Sequence, residues 1–444
     1  MTTTIERSAI EYVNPTDPTV LEHTYNLAPE PKKNPVKATL PTGPFPSARL
    51  VTETFFNALN IVKHAVGTSR STLPVLNCVR LTGYADTHQL RFQATNLEIG
   101  LETTITAQVT ADFDVCLNYA ELKDWKPKQF GQFLTLVLAN PSWDRVVGGA
   151  VQYKVAVESD NMRDVYDIIE GDEFPVLPVF KNPTEILLTP EIVQIMLRTR
   201  YAAATDDTRP VLSGVWLKIN GPIVNITAVD GHRLHTERTV IDDDNAACAI
   251  NIPACALDQF AKLKVSGPVL LQIGADGGQA ALVWHDGRTR FSTRLIDGMT
   301  PDSERIIPAQ CDSRTLVNRK KLLELCEALK KKASTSANIL RLYVEQPEGM
   351  PAQIKLVVGL KTTPSERTLP LDYAPAFRKL EKGEVEAERG KYIAISMGYF
   401  VDALNAIVTD DVAIELQSSQ MPMKLTPVGS GTARLICMPM TFKG

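Results

Sequence analysis

The stretch TAVDGHRL occupies residues 227–234. Its apolar start predicts a β-strand. The Asp-Gly pair predicts a tight turn, because Asp bonds its own backbone and Gly accepts a positive φ at little cost. Turn chemistry does not explain the His-Arg-Leu that follows. In isolation the stretch is interpreted as the rim of a hairpin with solvated polar side chains, so its meaning depends on the rest of the chain.

This stretch lies in the second of three similar segments, which we call the first, second and third repeats. Each repeat opens with an amphipathic helix, a polar link and a strand, and its second half again combines a strand with a helix. The opening helices are predicted at 55–66, 192–197 and 322–329, the strands after them at 73–76, 210–212 and 340–344, and the second strand–helix pairs at 115–123, 250–260 and 393–404.

Strand patterns outnumber helix patterns, and many strands are adjacent in the chain. This predicts an α+β fold of three similar domains, each a pseudo-duplicate of helix plus antiparallel strands. We place the domains at 47–183, 184–309 and 310–444. Residues 1–46 contain eight prolines and few large apolar residues, so we expect a Pro-rich extension that is extended or disordered.

The composition excludes several classes of protein. The seven cysteines are scattered and never spaced C-x-x-C, which argues against a disulfide framework or a zinc ribbon and fits a reducing compartment. The start of the chain has no basic-then-apolar signal, and no apolar run reaches the ~18–20 residues of a membrane span. We therefore expect a soluble cytoplasmic protein with no membrane, metal or cofactor.

The formal net charge of −4 gives no global sign of nucleic-acid binding. The third repeat's first helix is nevertheless locally basic, with six bases and two acids between 319 and 332. A solvated face explains one such helix. Similar bases on the matching elements of the other repeats favour a shared surface that attracts phosphates without reading bases.

Four motifs in register carry a resemblance to the bacterial β sliding clamp, the processivity subunit of DNA polymerase III. AVDGHRL at 228–234 resembles that family's A-T-D-G-H-R-L, and TLPVL at 72–76 resembles its T-L-P-I-L. DGMTPDSERIIP at 297–308 resembles D-G-R-F-P-D-Y-x-R-V-L-P, and ICMPM at 436–440 resembles V-V-M-P-M. The motifs span nearly the whole chain apart from the extension.

The resemblance implies a head-to-tail homodimer of three-domain protomers, closed into a ring around double-stranded DNA. It implies no catalysis and no sequence specificity. In the cell such a clamp lies with the nucleoid. It tethers the replicative DNA polymerase and the clamp loader through short linear motifs, which gives processivity.

The resemblance also implies site residues. The partner-peptide pocket, between the second and third domains, would comprise Arg209, Leu212, Gly231, His232, Arg233, Leu234, Pro301, Arg305, Ile306, Met438, Pro439 and Met440. The DNA-facing bases would be Arg70, Lys63, Arg198 and Arg200. Met supplies adaptable apolar surface for peptide anchors, and arginines can meet polar or acidic groups.

The match departs from the family at the expected dimer contact. Lys331 and Lys332 stand where the family has apolar residues, facing a first-repeat region with Val155, Val157 and Glu158. Between 158 and 173 there are seven acids and one base. We therefore expect a ring closed partly by lysine–carboxylate pairs, which contribute ~0–1 kcal/mol each when exposed and weaken with salt.

Two other classes of function stay open on the sequence. Asp230, His232 and His235 could form a catalytic or metal cluster, but H-E-x-x-H, the phosphate-binding G-x-x-x-x-G-K-[ST] and G-x-S-x-G are all missing from the sequence. A clamp-like decoy could bind partner peptides without encircling DNA. Loading onto circular DNA separates a clamp from a decoy.

Overall fold

The computed structural model describes residues 45–441 except 69–70, 72, 140–153, 160–161, 207, 300–301, 335–337, 361–362, 378–390 and 430–431. The predicted 1–46 extension lies almost entirely outside these residues. Among the described residues, no helix has the length and apolar content needed to cross a membrane. Within the same residues, no three His, Cys, Asp or Glu side chains are grouped so that they could hold a metal ion.

The first repeat contains two helices, α1 (Thr52–Val62) and α2 (Tyr119–Leu122). Its strands are β1 (Ser47–Val51), β2 (Cys78–Tyr84), β3 (Gln89–Thr95), β4 (Ile99–Thr106), β5 (Gln108–Val109), β6 (Phe113–Asn118), β7 (Phe133–Ala139), β8 (Lys154–Ser159) and β9 (Met162–Glu170).

The second repeat contains α3 (Pro190–Thr199) and α4 (Ala254–Lys262). Its strands are β10 (Thr184–Leu188), β11 (Gly214–Asn220), β12 (Ile223–Val229), β13 (Arg233–Val240), β14 (Ala247–Pro253), β15 (Val269–Ile273), β16 (Gln279–Trp284) and β17 (Thr289–Arg294).

The third repeat contains α5 (Arg319–Ser334) and α6 (Met397–Ala406). Its strands are β18 (Ser313–Asn318), β19 (Ile339–Glu345), β20 (Gln353–Val358), β21 (Ser365–Pro370), β22 (Ala376–Phe377), β23 (Tyr392–Ser396), β24 (Asp411–Leu416), β25 (Met423–Pro427) and β26 (Arg434–Cys437). All strand pairs are antiparallel in the described part of the chain, so the predicted α+β class is confirmed.

The helices form where the apolar periodicity predicted them. The hydroxyl of Thr189 caps α3 by accepting the Ile192 N–H, and Pro190 occupies the first helical position, where it costs no hydrogen bond. The spacing of Leu322, Leu325, Cys326 and Leu329 predicts one apolar stripe on α5, and all of these are buried except Leu325, which is half-buried. The amphipathic stripe is therefore what attaches each helix to its sheets.

Two predicted strands are wrong. Residues 73–76 and 210–212 form 3-10 turns, Pro74–Asn77 and Pro210–Leu212, each with Pro at its first position. The fixed φ of proline suits the start of a helical turn, and its missing N–H cannot contribute to a strand ladder. A short apolar run after a polar link is therefore a turn here, in both repeats.

Sheets continue from one repeat into the next. β17 pairs with β4, which joins the second repeat to the first, with Phe291 opposite Leu101. β13 pairs with β26, which joins the third repeat to the second, with Leu234 opposite Ile436. The three sheets are β10-β15-β16-β17-β4-β3-β2-β6-β9-β8-β7-β1-β5, β14-β11-β12-β13-β26-β25-β24-β18-β22 and β21-β20-β19-β23.

Among the described residues, β9 of the first repeat and β21 of the third keep open the edges that their counterparts use at the two junctions. In β9, residues 162–167 pair only with β8 among the described residues, and the end of the strand pairs with β6. β21 pairs only with β20 among the same residues. By position in the repeats, β9 matches β17 and β26, while β21 matches β4 and β13.

Candidate functional site

The turn at the end of β12 has the geometry that its residues predicted. The Asp230 carboxylate oxygen Oδ1 accepts the backbone N–H groups of His232 and Arg233 at 2.8 and 2.9 Å. Gly231 has φ +91°, a left-handed conformation that disfavours a side chain. The turn thereby directs β13 back along β12, toward the third repeat.

The end of the chain is held against this turn. β26 pairs with β13, and beyond it the Met438 N–H donates to the His232 carbonyl at 2.8 Å. The Met440 N–H then donates to the Ala394 carbonyl of β23 at 2.7 Å. Met438 and Pro439 are half-buried, whereas Met440 is 40% exposed. The last strand therefore places methionine beside a turn that is distant in sequence.

A small apolar cluster lies between the turn and the third repeat, separate from the two main cores. Its buried members are Val229, Leu234 and Ile436, and the half-buried members packed on them are Leu212, Ile306 and Ile307. The structure thus brings together three of the residues predicted for the pocket: Leu212, Leu234 and Ile306. An apolar floor that is partly open to solvent suits the anchor side chains of a bound peptide.

The sequence interpretation missed Val229, Ile307 and Ile436. Each lies next to, or across the strand ladder from, a residue that was predicted. Val229 ends β12 opposite Leu234, and Ile436 faces Leu234 from β26. Alternation along β26 could have indicated Ile436, since it is two residues before Met438.

Arg233 has a structural role, and its predicted place in the peptide pocket stays a prediction. Its side chain is only 10% exposed. Its Nε donates to Asp230 Oδ2 at 2.9 Å, and its Nη1 donates to Asp402 Oδ2 at 2.6 Å. The guanidinium also lies over the rings of Tyr201 and Tyr399, at 5.2 and 4.5 Å from their centroids. Arg233 is thus held within the junction of the second and third repeats.

The polar residues predicted for the pocket lie at the surface. His232 is exposed, and its ring lies 6.3 Å from that of Tyr399 with 21° between the planes. Arg209 is exposed, and its Nη1 would lie 3.7 Å from a Cβ placed on Gly231. Arg305 is 85% exposed and pairs with Asp302 at 2.7 Å. Pro301 lies outside the described residues.

One of the predicted DNA-facing bases pairs with a buried carboxylate, and its role toward DNA stays a prediction. Arg198 is 20% exposed and makes two hydrogen bonds to the carboxylate of Glu237, which is 5% exposed. Burial alone would raise the pKa of Glu237, but the neighbouring His235 imidazole and Arg198 guanidinium outweigh it and lower that pKa. Two of the five guanidinium N–H donors are thereby used on Glu237, and the carboxylate offsets the positive charge that would attract a phosphate.

The remaining predicted bases lie near the surface. Lys63 donates to Asn60 Oδ1 at 2.8 Å, and Arg200 pairs with Asp258 at 2.6 Å. The pKa of His64 is lowered first by burial and then by the charges of Lys63 and Lys262. The ends of α1 and α4 therefore bring positive charge together. Arg70 lies outside the described residues.

The predicted dimer contact is corrected in part. Val155 and Val157 are fully buried on β8, which has β7 on one side and β9 on the other, so neither side chain can reach a partner. Glu158 is half-buried and pairs with Arg163 at 3.1 Å. Lys331 and Lys332 are exposed at the end of α5.

Comparison with known proteins agrees with these features. Residues 187–302 match the family described as DNA polymerase III beta subunit, central domain. The beta sliding clamp of Synechocystis is 26% identical over 397 residues, covering 86% of this chain and 96% of that protein. The beta sliding clamp of Synechococcus elongatus is 27% identical over 395 residues, covering 87% and 96%. This chain is similar to bacterial β sliding clamps over most of its length.

Solved structures of sliding clamps share this fold. The Bacillus subtilis DNA polymerase sliding clamp superposes with a TM-score of 0.75 at 19% identity, covering 90% of this chain and 100% of that one. The Pseudomonas aeruginosa sliding clamp bound to griselimycin has a TM-score of 0.74 at 20% identity, with the same coverage. At these identities the likeness establishes the clamp fold, while the roles of individual residues depend on the geometry described above.

Proposed function

We propose that two copies of this chain join head to tail into a ring that encircles double-stranded DNA without sequence specificity. The observation that carries this proposal is the pairing of equivalent strands at both internal junctions, β4 with β17 and β13 with β26. The same pairing between β21 of one copy and β9 of another would use the open edges of these two strands. A ring closed in this way repeats, between two copies, the strand pairing already present at both junctions within one chain.

The repeats would act as the three domains predicted at 47–183, 184–309 and 310–444. The family match over 187–302 falls inside the second of these ranges and supports that division. Lys63, Lys262 and Arg200 are the bases we assign to the DNA-facing surface. Contacts of this kind neutralise phosphates, slide easily and weaken as salt rises. A ring that is retained because it encircles the DNA requires no stronger contacts with it.

The apolar cluster around Leu234 would receive a short linear motif from the replicative polymerase or the clamp loader. Leu212, Ile306 and Met438 offer the anchor surface, and Arg209, His232 and Arg305 offer the polar rim. Binding partners through this pocket while enclosing DNA confers processivity without catalysis. The protein would work in the bacterial cytoplasm, where the chromosome lies.

Loading onto circular DNA tests the proposal. With a clamp loader and ATP, the protein should remain on nicked circular duplex through gel filtration and be lost after the circle is linearised, because only the topology retains it. Equal retention on linear DNA would show ordinary binding. Partner-peptide binding with no retention on circles would favour a clamp-like decoy.

A further inference from the structure

The first repeat carries a cleft of about 310 Å³ between α2 and β9. Three aromatic rings meet there: the ring centroid of Trp125 lies 5.2 Å from that of Tyr166 and 5.3 Å from that of Phe130. The indole N–H of Trp125 donates to the Tyr166 hydroxyl at 3.1 Å, which holds the two rings in place. Trp125 and Tyr166 are half-buried, so the cleft presents a preformed aromatic surface.

The same cleft is acidic. Glu121, Asp124 and Asp164 line it, and no lysine, arginine or histidine of the described residues does so. All three carboxylates are exposed. Carboxylates beside aromatic faces attract cationic groups. The cleft therefore suits a ligand that combines positive charge with compact apolar groups.

The sequence that precedes the first repeat has this chemistry. Residues 29–37, PEPKKNPVK, contain three prolines, three lysines and one acid, and we call them the basic proline segment. Residues 8–28 carry three acids and no lysine or arginine, so the complementary charge is confined to the basic proline segment. Proline-rich sequences bind aromatic-lined grooves because proline restricts the chain before binding and so lowers the entropy cost.

The chain enters the first repeat close to this cleft. The Pro46 carbonyl accepts the Leu138 N–H at 2.9 Å. Leu138 lies opposite Val155, and Val155 lies opposite Tyr166. Pro46 is therefore three strands from Tyr166, a distance of about 14 Å at ~4.8 Å per strand. Lys37 is nine residues before Pro46, and nine extended residues span up to ~30 Å, so the basic proline segment can reach the cleft of its own chain.

We propose that the basic proline segment binds in this cleft of its own chain, with its prolines against Trp125 and Tyr166 and its lysines beside Glu121 and Asp124, and that it thereby opposes ring closure. The cleft is lined by Met162, Asp164 and Tyr166, which belong to the part of β9 that pairs only with β8 among the described residues. A second copy would approach that edge, so the bound segment and the second copy compete. This regulatory role rests on the proposed ring.

Binding of a labelled peptide of residues 27–40 to the full chain tests the cleft, with fluorescence anisotropy as the measurement. The recipient is the K32E/K33E/K37E variant, whose own segment no longer competes. The peptide should bind it, and adding E121K/D124K should raise the dissociation constant at least fivefold. D242K/D244K, the same charge change at exposed acids of the second repeat, should leave it within about twofold. No binding, or equal effects of the two acid reversals, would overturn the proposal.

Cross-linking in the wild-type chain tests whether the segment binds its own copy. A carbodiimide couples a lysine amine to a carboxylate that lies against it. Links from Lys32, Lys33 or Lys37 to Glu121 or Asp124 should appear in the monomer fraction at low protein concentration. Links found only in the dimer fraction would place the segment on another copy and overturn the assignment.

Sedimentation velocity on the full chain tests the effect on the ring. A tethered segment acts at an effective concentration of order mM, so its release should be measurable. The dimer dissociation constant of K32E/K33E/K37E should be at least threefold lower than that of the wild type, whereas K32R/K33R/K37R, which keeps the charge, should match the wild type. Equal constants in all three chains would overturn the opposition to closure. If the peptide binds but every chain stays monomeric, the proposed ring itself is wrong and the segment's site stands.

Discussion

Replacing Arg233 with Ala should loosen the junction between the second and third repeats. The side chain is 10% exposed and bonds to Asp230 on its own hairpin and to Asp402 on α6. It also lies between Tyr201 and Tyr399. Burial raises the pKa of Tyr201 well above its usual value, so this ring stays neutral beside the guanidinium. One side chain thus connects the turn to the helix of the next repeat.

The size of the effect can be worked from these contacts. A hydrogen bond to a charged group contributes about 1.5–3 kcal/mol, which applies to the buried Asp230 pair. Asp402 is 47% exposed, so its pair belongs with surface ion pairs at ~0–1 kcal/mol. The two cation–π contacts add ~0.5–2 kcal/mol each. Asp230 keeps two backbone N–H donors after the substitution, which limits the cost of leaving it behind. We expect a loss of about 3 kcal/mol, because these terms overlap.

Native-state hydrogen exchange measures this loss directly. The opening free energy of the amides that join β13 to β26 should fall by about 3 kcal/mol in the R233A variant, while amides between β15 and β16 keep their protection. The matched control is R305A, which removes an arginine that is 85% exposed and should change the opening free energy by less than about 0.5 kcal/mol. A change below about 1 kcal/mol in R233A would refute the structural role assigned to this residue.

Three further predictions concern pH, thiols and the end of the chain. Burial lowers the pKa of His235 below its ordinary 6.5, so the unfolded chain takes up a proton that the folded chain does not, and the free energy of unfolding should fall as pH drops from ~7.5 to ~5.5. In urea titrations the free energy of unfolding of H235N should depend less on pH than that of the wild type, whereas H285N, at an exposed position, should match the wild type. An equal dependence on pH in the two variants would contradict this prediction. A thiol reagent should label Cys255 first, because Cys255 is exposed while Cys78, Cys116, Cys326 and Cys437 are buried. Burial also raises the pKa of Cys326 and of Cys437 to about 12. The C255S variant should lose the fast phase of labelling, and a fast phase that persists in it would contradict the described burial. Truncation after Cys437 should abolish binding of a polymerase-derived peptide and leave the dimer assembled, whereas truncation after Thr441 should retain binding; a peptide affinity that survives the longer deletion would show that the pocket lies elsewhere.

Local pattern accounts for most of the elements that the sequence predicted. The stripe Leu322, Cys326 and Leu329 is buried as its spacing indicated, because a helix places such residues on one side regardless of what they meet. The Asp230-Gly231 turn likewise depends on two adjacent residues. The exceptions are the 3-10 turns at Pro74 and Pro210, where a short apolar run allowed either conformation.

The sequence predicted the apolar residues that cluster around Leu234 better than it predicted the partners of the charged residues near them. Leu234 and Ile306 lie in motifs, Leu212 was implied by the resemblance, and the structure gathers all three in one cluster. Whether a charged side chain is free depends on which partner the fold brings to it. Arg233 meets Asp402, which lies in another repeat and in no motif that contains Arg233.

The sequence by itself determined the threefold repeat, the order of helices and strands, and the turn that begins at Asp230. Each of these follows from side-chain periodicity and backbone preference over a few adjacent residues. Only the tertiary structure decided that Arg198 pairs with Glu237, that Val155 and Val157 are interior, and that β9 and β21 each keep an open edge among the described residues. Burial and ion pairing are properties of neighbours in space, and those neighbours come from segments that no local pattern connects.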